Sequence, residues 1–491
     1  MTQNSQGGSN FNQAFWLGFG QLCTFALSFV SAAILSRYFD KTEYGTYKQI
    51  LYVYTTLSTL FTIGLPNVFA FFIPRLNAGQ QKTFINAINR LFLLLGALFS
   101  ITLYLLSGPI ATLLNNPELA IGLKIFSPFP LFTLPAMGVE GIYTALRQTR
   151  TIAVYNVISR LIMLLCIVLP VVLFHAGYKT AIIGWGVASF ATFVFAMILK
   201  NRPYVEVRRE VVENMYKMVF DYSMPLMGAF IAGFFVSSAD QFFVSRYYGT
   251  ESFAEFSNGC LSIPFAAMIA SSVRNVLLPL FSKADAEGNL FEMTGVYNNA
   301  VKKSTTLIYP IIMFCIFFSR LIMVFVYGNN YAVSGSYFIC FLLRDFVSCL
   351  PYFSVLLALG ESKIYMGMHI VGAFSIWIID FILVYLHLPP QSIVVISSIF
   401  QIACSFYAFF YIKKRSGFDL ITSPIIIHML KVIIHTAICL VVLLYLSALM
   451  TDVSPILQLM VYGCLYYLLL LLTGRIIRVN YFESVLMVFK K

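Results

Sequence analysis

The stretch SRYFDKTEYGTY, residues 36–47, reappears 209 residues later as SRYYGTESFAEF, residues 245–256, without a gap. Both copies open Ser-Arg-Tyr-aromatic, and the aromatic pairs Tyr44/Phe253 and Tyr47/Phe256 stay in register. Each copy follows an apolar run. A repeat of this period between membrane-crossing segments points to two parallel halves related by an axis along the membrane normal, with a substrate site at their interface. The alternative is recurrence of interfacial aromatic and basic residues at helix ends, where they are common anchors.

Outward from the repeat, apolar runs long enough to cross a bilayer as helices, about 20 residues each, succeed one another along the whole chain. We place fourteen spans, at 14–36, 45–73, 86–107, 121–146, 153–174, 179–199, 222–244, 253–281, 304–326, 335–359, 364–386, 391–412, 428–449 and 455–472. With a cytoplasmic N-terminus, the inward loops and tail hold 22 of the 32 Lys and Arg residues, Lys490 and Lys491 among them. Only six lie outward (Arg37, Lys41, Lys48, Lys179, Arg246 and Arg320), and Lys124, Arg160, Arg274 and Arg344 fall within spans. Because basic residues are retained on the cytoplasmic side during insertion, this asymmetry predicts an even number of spans, both termini inside, and a bacterial cytoplasmic (inner) membrane location.

Composition agrees. The chain is 59% hydrophobic and 11% charged, with mean hydropathy +0.84, against about a quarter charged in soluble domains. The net charge of +12 is explained by the inward loops, so nucleic acid is not an expected partner. All nine cysteines fall in apolar runs with no CxxC pair, which predicts neither disulfides nor a zinc site. The first fourteen residues lack a basic n-region and a small-residue cleavage site, so no signal peptide is expected.

The longest charged interruption, KNRPYVEVRREVVENMYK at 200–217, reads as a cytoplasmic hinge with an amphipathic helix along the membrane. The expected division is an N-terminal lobe at 1–199 (spans one to six), a linker at 200–221, a C-terminal lobe at 222–412 (spans seven to twelve), and a helix pair with tail at 413–491. That last pair has no counterpart in the other half.

The run ILSRYFDKTEYGTYKQI at 34–50, the Pro-containing opening of span seven followed by Ser-Ala-Asp-Gln at 238–241, RNVLLPLFSK at 274–283 and YGNNYAVSGSYF at 327–338 together resemble the Wzx-type polysaccharide flippases. These belong with MurJ and the MATE exporters in one transporter superfamily. The resemblance covers spans one to twelve, more weakly the last two. It implies an all-α polytopic fold of two six-helix lobes in a V shape, alternating access, and a polyprenyl-linked oligosaccharide as cargo. Membrane lipids and other polysaccharide-assembly membrane proteins are the further partners it implies. Spans thirteen and fourteen would then groove the polyprenyl tail, or remain a lipid-facing appendage.

Ionisable groups at membrane depth cost about 2.5–3.5 kcal/mol on insertion scales and normally face protein or a wet cavity. Arg274, Arg344, Lys48 and Arg160 are therefore the candidate cargo-binding residues. An arginine suits a diphosphate because its planar fork gives paired charge-assisted bonds and stays protonated when desolvated. The competing readings are a structural pair with a carboxylate for Arg274, service to two neighbours for the adjacent Arg344 and Asp345, about 100° apart on a continuous helix, and snorkelling to the interface for Lys48 and Arg160. Asp240, Glu140, Asp380 and Asp345 are candidates for H+ or Na+ coupling, with a pair to Arg246 the alternative for Asp240. The histidines have no metal-ligand spacing, and no cofactor is expected.

There is no GxxxxGK[ST] loop for nucleotide phosphates. The expectation is a flippase moving undecaprenyl-pyrophosphate-linked repeat units outward for O-antigen, capsule or exopolysaccharide synthesis. A MATE-like ion-coupled small-molecule exporter is the alternative within transporters. A membrane glycan polymerase or acyltransferase is the alternative of another class, disfavoured because the outward loops are short and hold only His175 and His387.

Overall fold

The structure is a computed structural model that describes residues 3–62, 64–447 and 454–483. Lys490 and Lys491 of the expected inward tail lie outside the described residues. Among the described residues every regular element is helical. Ten helices among the described residues are long and apolar enough to cross a membrane, and up to thirteen spans result if each bent pair counts as one. Each of the fourteen expected spans overlaps helix within the described residues, but the count of fourteen is not reached by that criterion. Residue 63 of span two and residues 448–449 of span thirteen lie outside the described residues, and span eight is interrupted at 260–263 between Gly249–Gly259 and Pro264–Ala286. Span seven corresponds to the 33-residue helix Met215–Tyr247. The surfaces fit lipid as solvent: on Ala78–Leu113, Leu94, Ile101 and Leu105 are all more than half exposed.

Two compact units divide the chain, Met1–Ala254 and Glu255–Lys491. In the first, both copies of the repeat form the same turn. Helix Gln3–Tyr38 stops and Lys41–Thr62 starts after Asp40, whose Oδ1 accepts from the Glu43 amide at 2.7 Å, an N-cap in the usual sense. Helix Met215–Tyr247 stops and Gly249–Gly259 starts at the equivalent place, where Gly249 supplies a positive φ of 85° instead. The two copies meet: Thr42 Oγ1 donates to Oε1 of Glu251, its own mate at the 209-residue offset, at 3.3 Å. Gly45 is the residue that permits this, since a Cβ there would lie 2.1 Å from the Thr250 carbonyl oxygen.

Several spans are broken rather than straight. Span four is Pro117–Phe126 followed by Pro130–Ala145, bent by 55°, and span ten is Ser334–Ser348 followed by Tyr352–Ala358, bent by 44°. These are equivalent positions in the expected six-span halves. In span four Gly138, at φ 91°, carries a further interruption between Pro130–Ala136 and Val139–Ala145. A Cβ there would meet the Phe69 ring at 2.2 Å.

Two expectations need correction. The 200–217 segment is not an amphipathic helix: after a short turn at Arg202–Tyr204 it is non-helical until Met215. Pro203 and the β-branched run VEVRREVVE explain the failure. The segment is tied instead to the start of Ala78–Leu113, where Lys82 Nζ donates to the Val207 carbonyl at 2.9 Å and Asn77 Nδ2 to Glu210 at 2.7 Å. Lys200, counted as a loop cation, is fully buried at the end of Tyr178–Asn201. Its Nζ donates to Asn89 Oδ1 at 2.9 Å and to the Pro135 carbonyl at 2.8 Å, over the Phe69 ring.

In the second unit the C-terminal helices dock by specific bonds. Ser423–Ser447 packs on Met293–Phe317, and His428 Nε2 lies 2.9 Å from Thr306 Oγ1. On Pro455–Thr473, the Tyr466 hydroxyl donates to the Pro310 carbonyl at 3.0 Å. His435 ties the segment beyond back in, with Nδ1 2.9 Å from the Tyr481 hydroxyl and Nε2 2.7 Å from Thr473 Oγ1.

Candidate functional site

The break in span ten builds the site of the second unit. Proline at 351 supplies no backbone donor, and the chain leaves helical geometry between Ser348 and Tyr352. The helix also interrupts after Leu342, so Arg344 occupies the N-cap of the short helix Asp345–Ser348. Arg344 and Asp345 therefore do not sit on one continuous helix, as their spacing alone implied. The broken backbone opens a cavity of about 520 Å³ lined by Arg274, Arg344, Asp345, Tyr352, Tyr365 and Gln401 among others.

Two guanidinium groups thus face one cavity, from helix Pro264–Ala286 and from the break. The Arg344 group lies 3.6 Å from the centroid of the Phe341 ring, a cation–π stack that holds it in place. Among the described residues, neither arginine forms a salt bridge. The carboxylate pairing considered for Arg274 is not found among the described residues. A charge drawn from water without a partner is costly, and here the cavity is where compensation can come from. The wall around the arginines is held from behind: Ser354 Oγ donates to the Arg274 carbonyl at 3.1 Å and Gln401 Nε2 to the Tyr352 hydroxyl at 3.1 Å. Tyr365 packs between Phe353 and His369, each ring 4.4 Å away.

The first unit has its own cavities. One of about 650 Å³ lies against the break in span four and contains Glu140 and Arg160. A smaller one of about 170 Å³ is lined by Arg160 and Lys48 together. Lys48 Nζ lies 5.2 Å from the Tyr44 ring centroid, and Arg160 makes a 3.6 Å contact to the Met163 sulfur and interacts electrostatically with Tyr47. The structure thus joins Arg274, Arg344 and Asp345 in one place, and Arg160 with Lys48 and with Glu140 in another. Asp240 is half-buried on Met215–Tyr247 and Asp380 fully buried on Ser362–Tyr385; neither lines these cavities. Among the described residues no group of three or more His, Cys, Asp or Glu side chains is placed to hold a metal ion.

Helices long and apolar enough to cross a membrane, with charged cavities against their breaks, define a multi-pass helical membrane protein. The lipid II flippase MurJ in its inward closed conformation shares the fold at TM-score 0.70 and 17% identity, over 94% of this chain and 99% of that one. The Vibrio cholerae MATE transporter VcmN shares it at TM-score 0.58 and 14% identity, over 85% of this chain and 98% of that one. Residues 34–335 match the family described as polysaccharide biosynthesis protein, and the chain belongs to that family. The succinoglycan biosynthesis transport protein ExoT of Rhizobium meliloti (strain 1021) is 27% identical over 283 residues, 55% of this chain and 53% of that protein. The chain therefore spans about half the length of that curated relative.

Proposed function

We propose that this chain moves undecaprenyl-pyrophosphate-linked oligosaccharide repeat units from the cytoplasmic to the outer leaflet by alternating access. In this reading it resides in the bacterial inner membrane with both termini cytoplasmic and serves O-antigen, capsule or exopolysaccharide synthesis. The observation that carries the reading is the cavity holding Arg274 and Arg344, neither of which forms a salt bridge among the described residues. Its three charged lining groups, two guanidiniums and the Asp345 carboxyl, leave an excess of positive charge for a diphosphate. Family membership in polysaccharide biosynthesis and the succinoglycan transport protein among the relatives support a glycan as the rest of the cargo.

The MATE-like small-molecule exporter is the second reading. The larger share of the chain covered by MurJ than by VcmN, 94% against 85%, favours the lipid-carrying type, as does the bonded docking of the C-terminal helix pair. Any H+ or Na+ coupling falls to Asp240, Glu140, Asp380 or Asp345, of which Asp345 shares the arginine cavity.

The test is Arg274→Ala in cells lacking their own copy of the chain, with membrane abundance measured beside glycan export. Arg274→Ala is expected to abolish export at normal abundance and to accumulate polyprenyl-linked glycan. Arg274→Lys recovers part of the activity, because a point charge replaces the fork. Normal export by Arg274→Ala at normal abundance refutes the role.

A further inference from the structure

The cavity of about 650 Å³ in the first unit differs in chemistry from the arginine cavity, although both lie against helix breaks. Its charged lining groups are one carboxylate, Glu140, and one guanidinium, Arg160. These two charges balance within the cavity, with Lys48 next door in the smaller cavity that shares Arg160 and Trp185, whereas the arginine cavity carries two guanidiniums against one carboxyl. The size of the larger first-unit cavity falls in the range of about 300–1,000 Å³ usual for small-molecule sites.

Its walls carry hydrogen-bonding capacity that the protein leaves unused. Arg160 has five N–H donors; among the described residues its side chain makes a 3.6 Å contact to the Met163 sulfur and an electrostatic interaction with Tyr47, leaving donors to spare. Thr24 Oγ1 is buried without a partner. Glu140 accepts from Asn156 Nδ2 at 2.5 Å through Oε1, leaving Oε2 and the Asn156 carbonyl oxygen as acceptors. Beside these groups stands an aromatic wall, with Trp185 5.3 Å from Tyr54 between ring centroids. Donors and acceptors interleaved beside aromatic faces match a molecule whose every hydroxyl both gives and accepts, and whose ring has an apolar C–H face.

We propose that this cavity is a saccharide subsite that takes a neutral sugar residue of the cargo, read by Glu140, Asn156 and Arg160 against Trp185. The inference rests on the lipid-linked-oligosaccharide reading and adds to it a division of labour: charge recognition in the second unit, sugar recognition in the first.

Because the chain has three tryptophans, replacing Trp16 and Trp377 by Phe leaves Trp185 as the sole indole reporter. The full-length protein in detergent is titrated with methyl glucoside, methyl galactoside, N-acetylglucosamine and maltose, and separately with inorganic pyrophosphate. At least one sugar is expected to change Trp185 emission saturably, and pyrophosphate is not. Glu140→Gln and Asn156→Leu, checked for unchanged melting, should weaken that sugar's binding about tenfold or more, while Arg274→Ala leaves it intact. An emission change with pyrophosphate alone, no change with any of the sugars, or full affinity in both cavity variants overturns the proposal. Export separates this failure from that of the flippase reading. If Arg274→Ala blocks export while Glu140→Gln and Asn156→Leu export normally, the subsite is refuted and the flippase stands; if Arg274→Ala exports normally, the flippase reading falls on its own.

Discussion

Replacing Gln49 by leucine tests the contact that binds helix Met215–Tyr247 to the rest of the first unit. Gln49 is fully buried; its Nε2 donates to Ser245 Oγ at 2.8 Å, and its Oε1 accepts from Asn116 Nδ2 at 2.6 Å. Asn116 Nδ2 also donates to Thr46 Oγ1 at 3.0 Å, so three segments distant in sequence share one polar knot. Leucine has similar bulk but supplies neither bond. Asn116 keeps its second acceptor, and the Ser245 hydroxyl can turn to a carbonyl one helical turn back, so the loss is less than two stranded groups. We expect about 1–3 kcal/mol, which for a unit of this size lowers the melting midpoint by roughly 2–4 °C per kcal/mol.

The assay is thermal unfolding of purified protein in detergent, with Ser245→Ala and the double variant completing a cycle. The cycle should show a coupling of about 0.5–1.5 kcal/mol. A melting midpoint unchanged by Gln49→Leu, or additive single effects, refutes the view that this knot holds the helix.

Four further outcomes follow from the same geometry. Cysteines at Thr42 and Glu251, whose side-chain oxygens lie 3.3 Å apart, should cross-link under mild oxidation within one chain; no cross-link at full exposure to oxidant rejects the meeting of the repeat copies. Gly138→Ala forces a side chain into φ 91° against Phe69, costing about 1–2 kcal/mol from the backbone alone, and lowered melting or abundance checks it. Asn89→Leu removes one of two acceptors of the buried Lys200 amine and should cost about 1.5–3 kcal/mol, read by the same unfolding assay. Tyr481→Phe removes the hydroxyl facing His435, and limited proteolysis should then cut the chain after Thr473 faster than in the parent while earlier sites are unchanged.

Membrane class and most span positions were legible because apolar length and basic-residue asymmetry are one-dimensional signals. The repeat was legible too, and Asp40 against Gly249 shows why identity is partial: two different residues solve one helix start. The breaks were not legible. Prolines occur in many spans that stay helical through them, as Pro109, Pro170 and Pro310 do, so Pro351 alone does not announce a break. Lys200 was missed because a lysine closing an apolar run looks like any inward-loop cation. Its acceptors, Asn89 and the Pro135 carbonyl, come from segments more than sixty residues away, and only tertiary packing brings them to it.

Breaks and cavities coincide for a physical reason. Interrupting a helix frees backbone donors and acceptors that hydrocarbon cannot satisfy, so such breaks survive at membrane depth only where protein or a wet cavity meets them. In the first unit the larger cavity is lined by Met137, Gly138 and Val139 at the interruption in span four. In the second it is lined by Arg344, Asp345, Leu350, Pro351 and Tyr352 at the interruption in span ten. The two halves therefore keep the same broken span while their side chains diverge, one toward balanced charge beside aromatic rings, the other toward excess positive charge. On the proposed flippase and saccharide-subsite readings, a cargo with chemically different ends accounts for this divergence, and substitutions confined to one break should then alter one specificity and leave the other.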